Sequence, residues 1–211
     1  MNLNKKIGFA LYLNYKKNLI KNLYKNISNL IDFIHVDIVD NTFNEATKIK
    51  NNFDNLELIQ KLWNKKQIHL HIMSKNPTKY LLNIKTKFEI IFLHVEIDEK
   101  LDETILLAQE KSKFVGLAFK HKTNLSKYTK YLVLVDFFLV LAIDKPGSLG
   151  SSFNYGALKK INYLNKFKKK LCIDGGINNK VSKLLDAEYL VSGSYIMKNK
   201  RFKENIQKLR T

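Results

Sequence analysis

Phe33-Ile34-His35-Val36-Asp37-Ile38 is an apolar run carrying a histidine and an aspartate two residues apart, and its reading decides the fold. In an extended strand residues i and i+2 point the same way, so His35 and Asp37 share one face. The run does not stand alone. Ile7–Leu13, Gln67–Met73, Phe88–Glu96, Phe114–Phe119, Phe137–Ile143, Leu171–Asp174 and Tyr189–Ile196 are runs of the same kind, eight in all. Between them lie polar segments with helical periodicity. Leu19, Ile20, Leu23, Ile27 and Leu30 recur at steps of three and four residues, giving one apolar helix face with lysines opposite. Further helices are expected from about Asp54 to Asn64 and from about Tyr155 to Lys168, with short ones near Asn124–Lys130. Strand then helix, eight times, is the pattern of parallel β/α units. At 211 residues a closed (β/α)8 TIM barrel fits better than an open doubly wound sheet. No linker interrupts the series, so residues 1–211 read as a single barrel domain.

Composition bounds the partners. Lys+Arg number 37 against 19 Asp+Glu, a formal charge of +18, which raises nucleic acid, anionic membrane or a phosphorylated substrate. Only Arg201 and Arg210 are arginines, the lysines are spread along the chain, and no basic motif with aromatic stacking partners forms. The excess therefore reads mostly as compositional, and nucleic acid is disfavoured. The single cysteine, Cys172, excludes an internal disulfide and points to the cytoplasm. No stretch approaches the ~18 apolar residues of a membrane span. Ile7–Leu13, broken by Gly8 and Tyr12, makes a poor signal peptide and a better buried strand.

A barrel places chemistry at the C-terminal ends of its strands. Four ends pass that filter: His35-Val36-Asp37, His69-Leu70-His71, His94-Val95-Glu96 and Asp174-Gly175-Gly176. If the faces of His35/Asp37 and His69/His71 look inward, imidazole and carboxylate converge near the barrel mouth, with Asp174 joining from across the ring. Two His and two Asp suit zinc, iron or manganese with open positions for a sugar. Taken singly, a strand histidine is more often a satisfied core residue; convergence from three strand ends argues otherwise. Glycines cluster late in the chain, in Pro146-Gly147-Ser148-Leu149-Gly150, Gly175-Gly176 and Gly193-Ser194. Exposed backbone amides after the last strands are where such barrels hold phosphate.

These motifs, in this order, resemble the ribulose-phosphate 3-epimerases nearly end to end. The resemblance is carried by His35-Val36-Asp37-Ile38-Val39-Asp40, His71-Ile72-Met73 with Asn76-Pro77, His94-Val95-Glu96, Gly116-Leu117-Ala118, Pro146-Gly147, Asp174-Gly175-Gly176-Ile177 and Val191-Ser192-Gly193-Ser194. It implies a metal-dependent barrel of the ribulose-phosphate-binding type, a homo-oligomer (dimer or hexamer), with one divalent ion (zinc, iron, manganese or cobalt) on His35, Asp37, His71 and Asp174. It implies Asp37 and Asp174 as the two proton carriers. It assigns substrate and phosphate contacts to His71, Met73, Gly147, Gly150, Gly175, Gly176, Gly193 and Ser194. The expected reaction interconverts D-ribulose 5-phosphate and D-xylulose 5-phosphate. A related ketose phosphate such as D-allulose 6-phosphate is the nearest rival, and a non-catalytic barrel binding phosphate or nucleic acid is the rival of another class. Departures from the family pattern bear on turnover: Ala10 for a usual serine, Val39 and Leu141 for methionines, Asn41 for a glycine, His69 for an acidic residue, and an extra residue before Pro146.

Overall fold

A computed structural model describes residues 4–45, 52–148 and 150–211; Leu149 of the glycine-rich stretch and the first three residues lie outside the described set. Eight parallel strands close into a barrel in chain order: β1 (Lys6–Tyr12), β2 (Phe33–Val39), β3 (Gln67–Met73), β4 (Phe88–His94), β5 (Ser112–Lys120), β6 (Phe137–Leu141), β7 (Lys170–Asp174) and β8 (Tyr189–Ser192). The closing pair is β1 with β8, Ile7 opposite Leu190. Helices α1 (Lys17–Ile27), α2 (Asp54–Leu62), α3 (Thr78–Leu81), α4 (Leu101–Lys111), α5 (Thr129–Leu132), α6 (Ala157–Asn165), α7 (Asn179–Ser182), α8 (Ser194–Met197) and α9 (Phe202–Arg210) surround it. Among the described residues no helix is long and apolar enough to cross a membrane.

The expected strands and helices are present, with boundaries shifted for local reasons. The run Tyr189–Ile196 is not one strand: β8 stops at Ser192 and Ser194 opens α8. A continuous apolar run does not distinguish strand from buried helix, and here Ile196 is buried from a helix. The helix expected to Lys168 ends at Asn165, and Lys168 has a positive φ of 54° that no α-helix accommodates. Leu19 does not lie on the buried face of α1; it is 38% exposed, and Ile20, Leu23 and Ile27 carry the packing. The gap at Asn124–Lys130 holds a 3-10 turn over Leu125–Tyr128 and the start of α5.

Alternation along each strand divides the interior into two cores. Outward residues such as Ile34, Val36 and Ile38 pack under the helices. Inward residues, among them Phe33, Phe92, Phe137, Leu139, Cys172 and Tyr189, fill the barrel itself. Two glycines make room for the central rings: a Cβ on Gly8 would lie 2.2 Å from the Phe33 ring, and one on Gly116 would lie 2.4 Å from the Phe92 ring. Phe33 in turn stacks on His69 at 4.2 Å between centroids. The lower barrel is thus an aromatic plug that also encloses His69, and His35, Asp37, His71 and Asp174 stand above it.

Candidate active site

The register sets the layer in which each polar group stands. Asp37 pairs with His71 across β2 and β3, and Asp174 pairs with Leu141 and Val191. The closed ring of backbone hydrogen bonds therefore holds the two aspartates apart, with β8 and β1 between their strands on the shorter side, while their side chains lean to a common point. His35, Asp37, His71 and Asp174 each offer a ligand atom within 4.8 Å of the others, and all four are buried. His71 Nδ1 stands 3.2 Å from Asp37 Oδ1 and 3.5 Å from Asp174 Oδ2. His35 Nε2 stands 3.6 Å from Asp37 Oδ1.

Electrostatics within the cluster are uneven. Burial, with the charge of Asp174, pushes the Asp37 carboxyl up despite the bond to His71. Burial also pushes Asp174 up, but the hydrogen bond from His71 and the neighbouring imidazoles outweigh it and hold that carboxyl low. Burial alone would lower His71; its two carboxylate partners raise it instead, to about 9. His35 has no such bond, and burial takes it down to about 3. Two carboxyls whose environments push their proton affinities apart can serve as an acid and a base.

The donor set fits a divalent transition cation. Both ring nitrogens of His35 are buried without a hydrogen-bond partner, and two imidazole nitrogens with two carboxylate oxygens around one point are the ligand chemistry such ions take. The positive charge that His71 gathers between Asp37 and Asp174 stands where a cation would satisfy both carboxylates. His69 does not join the cluster. It points inward like His71 but one layer deeper, among Phe33, Phe92 and Tyr189, with neither nitrogen bonded.

Above the cluster a small pocket of about 50 Å³ is lined by Tyr12, Asp37, Met73, Leu141, Asp174 and the glycine-rich loops. Gly147, Gly150, Gly175, Gly176, Gly193 and Ser194 all line it, so residues from three separate loops meet on one wall. Gly176 is required there: its φ is +69°, and a Cβ would fall 2.2 Å from the backbone nitrogen of Phe153. Met73 is 2% exposed and belongs both to this wall and to the inner core. A larger cavity of about 810 Å³ opens elsewhere, beside α2 and the starts of β3, β4 and β5, and contains none of the clustered His and Asp.

Sequence reasoning singled out His94-Val95-Glu96 as a strand end but gave it no role. His94 Nε2 lies 2.9 Å from His71 Nε2, and His94 Nδ1 lies 2.8 Å from Glu96 Oε2. Burial takes His94 down to about 4, so the ring is neutral. The i, i+2 spacing was visible; the contact with His71 was not, because it depends on the stagger between β3 and β4. Tyr12 reads in the sequence only as an interruption of an apolar run. Its ring lines the pocket beside Asp37, and burial followed by the charges of Asp37 and Asp174 keeps its hydroxyl protonated.

The model of the ribulose-phosphate 3 epimerase family matches residues 6–197. A ribulose-phosphate 3-epimerase of Mycoplasma genitalium is 28% identical over 188 residues, covering 87% of this chain and 87% of its own. One of Schizosaccharomyces pombe is 28% identical over 207 residues, covering 90% of this chain and 87% of its own. Among solved structures, 3-hexulose-6-phosphate synthase of Salmonella typhimurium superposes with a TM-score of 0.70 at 15% identity, covering 97% of this chain and 96% of that one. The tryptophan synthase complex of Pyrococcus furiosus gives 0.71 at 14% identity, covering 99% of each. At that identity these two likenesses concern the fold.

Proposed function

Since the chain belongs to the ribulose-phosphate 3-epimerase family, we propose that it interconverts D-ribulose 5-phosphate and D-xylulose 5-phosphate, using Asp37 and Asp174 as proton carriers and a divalent metal ion on His35, Asp37, His71 and Asp174. The observation that carries this reading is the pair of buried carboxylates, from β2 and β7, that meet at His71 Nδ1 from across the barrel. Inverting carbon 3 of a 2-keto sugar requires a proton to leave one face and another to arrive on the opposite face. One base cannot do both without turning the substrate over. Two carboxyls held unequal in proton affinity can: the ionised one abstracts, the protonated one donates, and reversal exchanges the roles.

The metal, when bound, supplies Lewis-acid stabilisation of the negative charge that develops on the enediolate. The chain's own residues do the rest. Asp37 and Asp174 need to reach C3 from the two sides, and the β-sheet register fixes the distance between them. Met73, Leu141 and Ile143 form an apolar wall of the pocket and exclude water from the carbanion. The amides exposed at Gly147, Gly175, Gly176 and Gly193, with the Ser194 hydroxyl, suit a phosphate dianion and would anchor the far end of the sugar. Binding energy from that remote phosphate is available to orient C3. The whole chain acts as one barrel domain in this reading, and the family relationship supports a homo-oligomer.

Exchange of the C3 proton with solvent tests the chemistry directly. In D2O, Asp37→Asn and Asp174→Asn should each lower epimerisation at least ~100-fold, with deuterium exchange surviving at most on the epimer whose proton the remaining carboxylate takes. Unchanged epimerisation in either variant would refute the two-carboxylate reading. Faster turnover of D-allulose 6-phosphate than of the pentose phosphate would move the substrate to a six-carbon sugar.

A further inference from the structure

A chain of hydrogen bonds leads away from the candidate metal site. His71 Nε2 and His94 Nε2 are 2.9 Å apart, and His94 Nδ1 is 2.8 Å from Glu96 Oε2. The other carboxylate oxygen, Glu96 Oε1, accepts the backbone N–H of Lys120 at 2.9 Å and the hydroxyl of Thr123. Lys160, on α6 and 7% exposed, closes the outer end by donating to the Thr123 carbonyl. The Phe43 ring, 4.4 Å from that of His94, packs the imidazole in place. Beyond His71 the chain includes none of the four ligands, and the mechanism above does not use it.

We infer that Glu96 and His94 are a positioning pair that fixes the tautomer of His71 and so turns the Nδ1 lone pair of His71 toward the divalent cation, an inference that rests on the metal site proposed above. Donor and acceptor roles are set from the carboxylate inward. An ionised carboxylate can only accept, so His94 must carry its proton on Nδ1. A neutral imidazole has one N–H, which leaves His94 Nε2 as an acceptor. The bond between the two Nε2 atoms then requires the proton to sit on His71 Nε2. When a cation takes the place of the proton between the two carboxylates, His71 Nδ1 is left facing Asp37 and Asp174 with a lone pair. A carboxylate orienting a metal-bound imidazole is a known device for fixing tautomer and ring plane; here a second imidazole is interposed.

An isosteric substitution reverses those donor and acceptor roles. In Glu96→Gln, the Lys120 N–H still demands an acceptor at the Oε1 position, so the amide NH2 faces His94. His94 must then accept at Nδ1 and donate from Nε2. His71 Nε2 becomes an acceptor, its proton moves to Nδ1, and the lone pair meant for the cation is lost. Glu96→Ala imposes no direction and leaves His94 free to take either tautomer.

Zinc affinity of the full-length protein, by competition with a chromophoric chelator, is the test. Glu96→Gln should weaken zinc binding about 10–100-fold, and Glu96→Ala should weaken it less. A purely structural role predicts the opposite order, since Gln preserves shape and Ala does not. Affinity of Glu96→Gln within about threefold of the parent, or Glu96→Ala the weaker binder, would overturn the inference. Nitrogen-15 NMR of the unmutated protein reads the same point without relying on a variant that folds. His94 should be protonated on Nδ1 with or without zinc and His71 on Nε2 with zinc; the reverse assignment of His94 would overturn the pair. Should the unmutated protein take up no zinc, the metal-site reading fails, while the His94 tautomer in the metal-free protein still decides the pairing.

Discussion

Asp40 stands one residue beyond β2, and its carboxylate gathers a set of donors that ties two loops of the barrel mouth together. Oδ1 accepts the backbone N–H of Thr42 at 3.0 Å and its hydroxyl at 2.5 Å. Oδ2 accepts Ser74 Oγ at 2.7 Å and Tyr80 Oη at 2.9 Å, and pairs with Lys79 Nζ at 2.9 Å. Burial opposes the charge, but the bonds from Thr42, Ser74, Lys79 and Tyr80 together bring the carboxyl from 3.8 down to about 2. At about 1.4 kcal/mol per decade that difference favours the folded, ionised form by about 2.4 kcal/mol. Lys79 is half-exposed and its share is screened, so about 1–2 kcal/mol is the working figure. Because the folded value lies below the unfolded one, this stability is fully present above pH ~5. It disappears as pH falls through the window between 3.8 and about 2. Asp40→Asn presents one acceptor and one donor to a ring of donors. It should lower stability at pH 7 by about 1–2 kcal/mol, with Tm lower by about 2–8 °C. Paired urea melts of parent and variant from pH 7 to pH 2.5 are the assay: the two curves should converge on acidification. A gap below about 0.5 kcal/mol at pH 7, or a gap that stays constant down to pH 2.5, would refute the reasoning.

Other consequences are open to simple measurement. Gly176→Ala combines a positive φ with a Cβ 2.2 Å from the Phe153 nitrogen, so it should cost about 2 kcal/mol or more and raise KM for the sugar phosphate. Wild-type Tm and KM in this variant would show that the loop is not built as described. Tyr12→Phe removes the one hydroxyl on the inward face of β1 near Asp37, two residues beyond Ala10. A severalfold rise in KM with unchanged Tm is expected, and no kinetic change would exclude Tyr12 from substrate contact. Cys172 is fully buried with its thiol pushed up by that burial, so a thiol reagent should label it only at the rate of unfolding. Rapid labelling of the native protein would contradict the packed barrel interior. Dialysis against a strong chelator should abolish epimerisation, and a divalent transition ion should restore it; full activity after verified metal removal would refute metal dependence.

How much of this was legible before folding differs between elements. The eight strands were visible because buried parallel strands are short apolar runs, and α1 because its apolar residues repeat at helical spacing. Helix ends were less so, since a residue such as Lys168 gives no sign in sequence that its backbone turns left-handed. Within the candidate site, i and i+2 spacing put His35 with Asp37 and His69 with His71. It could not tell which histidine reaches the cluster. The structure separates them by depth: His71 meets Asp37 and Asp174, whereas His69 lies among aromatic rings.

The sequence by itself determined the periodicities, and with them the β/α alternation, which residues share a face of each strand and the order of the glycine-rich loops. These are local properties, set by two-residue and 3.6-residue repeats. Only the tertiary structure decided which strand ends meet. Closing the ring puts β7 across from β2 and sets the stagger that brings His94 against His71. Contacts between residues far apart in the chain are fixed by sheet register, and no local pattern records that stagger. The donor set at Asp37 and Asp174, and the hydrogen-bonded chain running back to Glu96, belong to that second kind of information.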